Sequence, residues 1–185
     1  MKRNVVTISV LAIVFLLGAC AGGGGMKVVS TPHSELQLEA NQLVKDGGLA
    51  FVGTGISSRE DIARNKAQTA GRTGLAQALE SKVSAYGKQF QEEIGSAGDA
   101  EINEAFQTVT EQLSKTVLVG VLPVREIVTM NEGKYTIYTI MAVDPKTFIQ
   151  SFQDQMKEQK ALYTRYRASQ MHEEMEKKLE DYDKE

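Results

Sequence analysis

The chain has 185 residues, a net charge of −3, one cysteine and no tryptophan, which fits one compact domain with appendages. Mild acidity withholds the basic field that a phosphate backbone requires, so nucleic acid is excluded as an expected partner. A lone thiol leaves no intrachain disulfide to staple the fold, and the absence of tryptophan argues against a sugar-stacking or aromatic-cage site.

Lys2 and Arg3 precede an apolar stretch from Val5 to Leu17, and Gly18 and Ala19 place small residues before Cys20. These are the basic, apolar and cleavage parts of an export signal. A spanning helix needs roughly 20 apolar residues; this stretch is shorter and runs into the glycines at 22–25, so residues 1–19 are expected to be removed. Leu17-Gly18-Ala19-Cys20 resembles the lipobox of bacterial lipoproteins. The resemblance implies cleavage before Cys20, a diacylglycerol on its sulfur and acylation of the new amino terminus, which makes the thiol a tether. Each buried methylene adds about 0.8 kcal/mol, so two or three acyl chains hold effectively permanently. Ala21 stands where an aspartate would, by the same resemblance, favour the inner membrane. The expected location is the outer membrane, facing the periplasm.

Residues 20–33 read as the lipidated cysteine and a glycine-rich leash. Leu36, Leu38, Leu43 and Val44 predict a short helix over Ser34–Lys45, stopped by Asp46-Gly47-Gly48. Leu49 to Ile56 is a short apolar run bounded by glycines and reads as a strand. Ser57 and Ser58, followed by Glu60 and Asp61, offer overlapping capping boxes for a long helix. Its buried stripe is expected to comprise Ile62, Ala63, Ala67, Ala70, Gly74, Leu75, Ala78, Leu79, Val83 and Tyr86. Residues 95–99 break the pattern, and Ile102, Phe106, Val109 and Leu113 resume it in a second helix. Thr116 to Met130 reads as a strand that bulges or lies at an edge near Gly120 and Pro123. Asn131-Glu132-Gly133 reverses the chain, and the alternation of Lys134–Val143 predicts antiparallel pairing with the preceding strand.

Asp144-Pro145 opens a helix running towards Glu185, with Phe148, Ile149, Phe152 and Met156 on its buried face. The charged stretch 153–185 is expected to be a helical tail that extends, pairs with a partner or frays. The main domain is thus set at 34–152. Without strand–helix alternation, a doubly wound sheet is excluded and an α+β fold is favoured, its long helix packed on a small curved antiparallel sheet.

Over residues 49–145 the chain resembles the LPP-twenty lipoproteins, on Phe51-Val52-Gly53-Thr54-Gly55, on Ile62 to Ala67 leading to Arg72 and Leu75, and on Leu118 to Val128 followed by Gly133-Lys134-Tyr135 and Val143-Asp144. At one position the pattern departs: Gly71 precedes Arg72 where the family has alanine. The resemblance implies a strand, a long helix across a curved sheet, a closing hairpin, and a surface or periplasmic oligomer without catalysis. Some members form rings around the flagellar motor.

Gly53-Thr54-Gly55-Ile56-Ser57-Ser58 sits between a strand and a helix, but it lacks the third glycine and the following acidic strand of a dinucleotide site. Backbone flexibility is the expected role of its glycines. His172, Glu173 and Glu176 supply too few ligands for a zinc centre, and Arg59, Arg64, Lys66 and Arg72 among Glu60 and Asp61 read as an exposed helix side. No nucleophile–base set is evident. Neither an enzyme nor a metal or other cofactor is expected. The functional expectation is a membrane-anchored assembly or scaffold module that self-associates or binds other envelope proteins; the alternative is a carrier or sensor of a small apolar ligand.

Overall fold

The computed structural model describes residues 30–96, 98–119 and 121–184. The leader with Leu17, Gly18, Ala19 and Cys20, the leash through residue 29, and Gly120 lie outside the described residues. The elements are α1 Pro32–Lys45, β1 Leu49–Ser57, α2 Glu60–Glu93, α3 Ala100–Thr116, β2 Pro123–Asn131, β3 Lys134–Val143, α4 Pro145–Glu158, α5 Lys160–Arg167 and α6 Gln170–Tyr182. The fold is α+β, with three antiparallel strands in the order β1-β3-β2.

Helix α1 starts two residues earlier than the apolar spacing predicts. The Thr31 hydroxyl accepts from the Ser34 amide (3.1 Å), the Ser34 hydroxyl accepts from the Thr31 amide (2.8 Å), and Pro32 opens the first turn. Pro32 and His33 therefore belong to the helix and not to the leash. Serine takes the place of the usual Glu or Gln in this reciprocal cap, so the motif is easily overlooked.

The central strand β3 pairs with β1 from Leu49↔Val143 to Ser57↔Tyr135 and with β2 from Pro123↔Met141 to Asn131↔Lys134. The hairpin forms as its alternation predicts. Gly133 takes a positive φ of 72° at the turn. A bulge falls between Pro123 and Arg125 on β2, an edge strand, which satisfies both alternatives foreseen for that region. The strand itself starts later than expected: α3 continues through Thr116, and pairing with β3 begins only at Pro123. Hydroxyls of Ser114 and Thr116 donate to the carbonyls of Thr110 and Gln112 (both 2.9 Å) while Leu113 is buried, which keeps these residues helical despite their β-prone character.

Alternation divides the sheet into two faces. On one, Ala50, Val52 and Ile140 pack on Leu36 and Ala40 of α1. On the other, Leu49, Met141 and Val143 join the principal core with Leu75, Leu79, Val83 and Phe90 of α2, Phe106 and Leu113 of α3, and Phe148 and Phe152 of α4.

Helix α2, 34 residues and about 50 Å long at 1.5 Å per residue, begins without the predicted capping boxes. Its N-cap is Arg59, which makes no side-chain cap bond; Ser57 is still in β1, opposite Tyr135, and its hydroxyl accepts only from the Arg59 amide (3.2 Å). Glu60 and Asp61 in the first turn complement the helix dipole instead. The buried stripe also differs from expectation: Ile62 and Ala70 are exposed, Ala78 and Tyr86 half-buried, and Gly71, Gly87 and Phe90 are buried. The reason lies in β1. A Cβ on Gly53 would stand 2.0 Å from the Ala67 carbonyl oxygen, and one on Gly55 2.0 Å from that of Ala63. Backbone meets backbone, so the contact ridge narrows to Ala63, Ala67, Gly71 and Gly74. The glycines of β1 thus serve close approach, not flexibility, and neither has a positive φ.

The C-terminal stretch is helical, as expected, and it packs back onto the core. The helix from Pro145 breaks at Gln159 (φ −82°, ψ 68°), and a second break precedes Ser169, whose hydroxyl caps α6 by accepting from the His172 amide (3.2 Å). These breaks fold α5 and α6 back, burying Leu162, Tyr166, Met171 and Met175 in the principal core. The Tyr182 hydroxyl donates to the Asp46 carbonyl, and the Gln170 amide donates to Glu93 Oε1 (2.5 Å). Residues from Thr31 onward accordingly form one compact unit, which continues past residue 152.

Candidate functional site

The lipobox and Cys20 lie outside the described residues, so candidate sites on the folded unit are its clamped basic residues, its cavities and its uncovered apolar surface.

The basic residues on the first half of α2 are structural clamps. Arg64 bridges Glu60 (2.6 Å) and Glu126 of β2 (3.0 Å), Lys66 donates to the Ile56 carbonyl at the end of β1 (3.2 Å), and Arg72 donates to the Val121 carbonyl before β2 (3.4 Å). Arg59 pairs locally with Asp61 (2.7 Å). The strand-to-helix turn is equally committed: Gly53, Thr54 and Gly55 pair with Thr139, Tyr138 and Ile137, and α2 covers both glycines at main-chain distance. There is no open loop in which a phosphate could sit.

Lys82, on α2, is half-buried. Its Nζ donates to the carbonyls of Gly47 (2.5 Å) and Gly48 (3.1 Å) and lies 4.5 Å from the centre of the Phe148 ring. Burial, and secondarily the charge on Lys178, bring its pKa down to about 8. With Tyr182 on Asp46, it fastens the turn between α1 and β1. Sequence spacing gave no sign of this, since the acceptors are backbone atoms about 35 residues away.

His172 and Glu176 share a helix face as their spacing predicts, with Nδ1 3.9 Å from Glu176 Oε1. The imidazole stacks on Tyr166 at 5.0 Å, and its buried Nδ1 has no hydrogen-bond partner. Glu176 accepts from Gln153 (2.7 Å). Burial, with Glu176 as a lesser cause, pushes the Tyr166 hydroxyl well above its usual range. Among the described residues no three His, Cys, Asp or Glu side chains are grouped to hold a metal.

A cavity of about 690 Å³ is an open groove between α2 and α3. Phe106 and Gly87 form its apolar floor, and Glu80, Lys88, Gln107, Thr110 and Glu111 are among its polar walls. The lining is mixed, apolar in the larger part and rimmed by these polar groups.

The uncovered apolar surface lies along β2 and the segment before it. Val124, Val128 and Met130 share the α2 side of the edge strand and are exposed, and Val119 and Leu122 are 78% and 73% exposed. Arg125, on the opposite face, is held by Glu35 (2.5 Å) and Glu39 (2.6 Å) of α1. Among the described residues no strand pairs with the free side of β2, and no helix is long and apolar enough to cross a membrane. Comparison of the chain with protein-family models, curated proteins and solved structures finds no match.

Proposed function

We propose that this chain is a non-catalytic lipoprotein of the LPP-twenty kind, anchored to the outer membrane by acylated Cys20 and facing the periplasm, where it works as an assembly or scaffold module of the envelope. A ring subunit, flagellar-associated by analogy with relatives, is the concrete form of the proposal. The observation that carries it is the free edge of β2 with Val124, Val128 and Met130 exposed on one face. An unpaired edge with apolar side chains is a template for another strand. Pro123 and the bulge beside it limit that template to the remainder of the strand.

Light scattering of the chain beginning at residue 20, with and without its acyl groups, tests assembly. A closed oligomer that Val128→Lys dissociates is expected; a monomer at every concentration, in detergent as well as without the anchor, would remove the proposal. The ligand-carrier alternative would use the groove between α2 and α3, and native mass spectrometry showing a stoichiometric bound molecule would favour it over assembly.

A further inference from the structure

We propose that the segment between α3 and β2 is a second membrane contact, a short apolar finger that enters the headgroup region of an anionic bilayer. From Gln112 to Arg125 the sequence contains no acidic residue. Val117, Leu118 and Val121 pack against the principal core, while Val119 (78% exposed), Leu122 (73%) and Val124 (57%) face solvent. The inward residues hold the segment in place, so the outward ones are displayed rather than collapsed. A solvent loop is ordinarily polar; this one offers water no polar side chain between Val117 and Leu122.

Charge selects the occupant. Arg72, which holds this segment through the Val121 carbonyl, and Lys115, in the last turn of α3, form no ion pair among the described residues, whereas Arg125 is taken up by Glu35 and Glu39. Apolar side chains on a segment free of carboxylates and held by the Arg72 guanidinium match an interface of acyl chains beneath anionic headgroups. Geometry brings that interface within reach. Only residues 21–30 separate Cys20 from the cap residue Thr31, a span of at most about 40 Å when extended. Glu35, one turn into α1, is already bonded to Arg125 beside Val124. A tethered contact acts at high effective concentration, so a weak intrinsic affinity suffices. The availability of the bilayer in the cell rests on the proposed anchor; the contact itself does not.

The test uses the chain from residue 20 onward carrying Cys20→Ser, so that no acyl group contributes and failure of the anchor cannot be mistaken for failure of the finger. Co-sedimentation with vesicles of phosphatidylethanolamine and a minority of phosphatidylglycerol is expected, weakened by salt and reduced roughly tenfold or more in the Val119→Ser, Leu122→Ser double variant. These positions are exposed, so the variant retains its fold by circular dichroism. Because the chain has no tryptophan, Leu122→Trp reports depth: its emission shifts to the blue with these vesicles, while Leu38→Trp, on the solvent side of α1, does not move. Equal sedimentation of parent and double variant would overturn the proposal. So would a blue shift that follows protein concentration without lipid, since the segment would then be covered by a second copy.

Discussion

Gly53 and Gly71 face each other across the sheet–helix contact, yet they should respond differently to a methyl group. A Cβ on Gly53 meets the Ala67 carbonyl at 2.0 Å and the Gly71 amide at 2.5 Å, both rigid backbone, whereas a Cβ on Gly71 first meets a side-chain atom, the Cγ of buried Met141, at 2.5 Å, which a rotamer change can move. Gly53→Ala is therefore expected to cost about 3 kcal/mol or more in urea unfolding. Gly71→Ala, which gains about 1 kcal/mol of helix propensity, should stay within about 1 kcal/mol of the parent. Equal costs would refute close packing along this ridge. Lys82 gives a pH-dependent prediction. Its folded pKa of about 8 lies below the ordinary 10.5, so between those values the unfolded chain binds more protons than the folded one and stability rises with pH. The parent should gain on Lys82→Met as pH rises from about 8 to 10.5; a constant difference would show that Lys82 does not titrate in this window. Neither feature was legible in the sequence. The strand glycines suggested a flexible turn because their true partners are backbone atoms of α2, and a lysine in a polar helix register carries no sign that two carbonyls await it.

At the scale of elements, the sequence was most readable where a period ran unbroken. Alternation over Lys134–Val143 located β3, and the three- and four-residue spacing of Ile102, Phe106, Val109 and Leu113 located α3. Boundaries failed where side chains rather than periodicity set them: Thr31 and Ser34 start α1 early, hydroxyl back-bonds carry α3 through Thr116, and Arg59 replaces the serines as the cap of α2. The C-terminal stretch is helical as expected, but its packing was not legible, for a different reason. Its apolar residues are sparse among charges and look like a solvated helix, but breaks at Gln159 and Ser169 rotate Tyr166, Met171 and Met175 onto Phe152 and its neighbours. Truncation after Ala168 should uncover that core and lower the unfolding free energy by at least about 4 kcal/mol. A frayed tail would be lost with almost no effect, and that outcome would contradict the packing described here.

For the whole molecule, the stability of the folded unit and its retention at a membrane are separable. The unit from Thr31 has its own core and should unfold at the same denaturant concentration whether or not residue 20 carries lipid. The membrane residence proposed for it rests on the sequence that precedes it. The proposed edge-strand assembly and the proposed apolar finger would each gain from confinement to a surface, so both lose much of their purpose if the anchor is absent. The α+β class was legible from the order of elements alone, while for the site the sequence offered only the lipobox-like Leu17-Gly18-Ala19-Cys20, which lies outside the described residues. The most direct test is intact-mass analysis of the chain extracted from its own cells, beside membrane fractionation of Cys20→Ser. A chain beginning at residue 20 with diacylglycerol and acyl mass added, and released or unprocessed in the variant, is the predicted result. An unmodified chain that retains Met1 to Ala19, or a variant that fractionates like the parent, would contradict it.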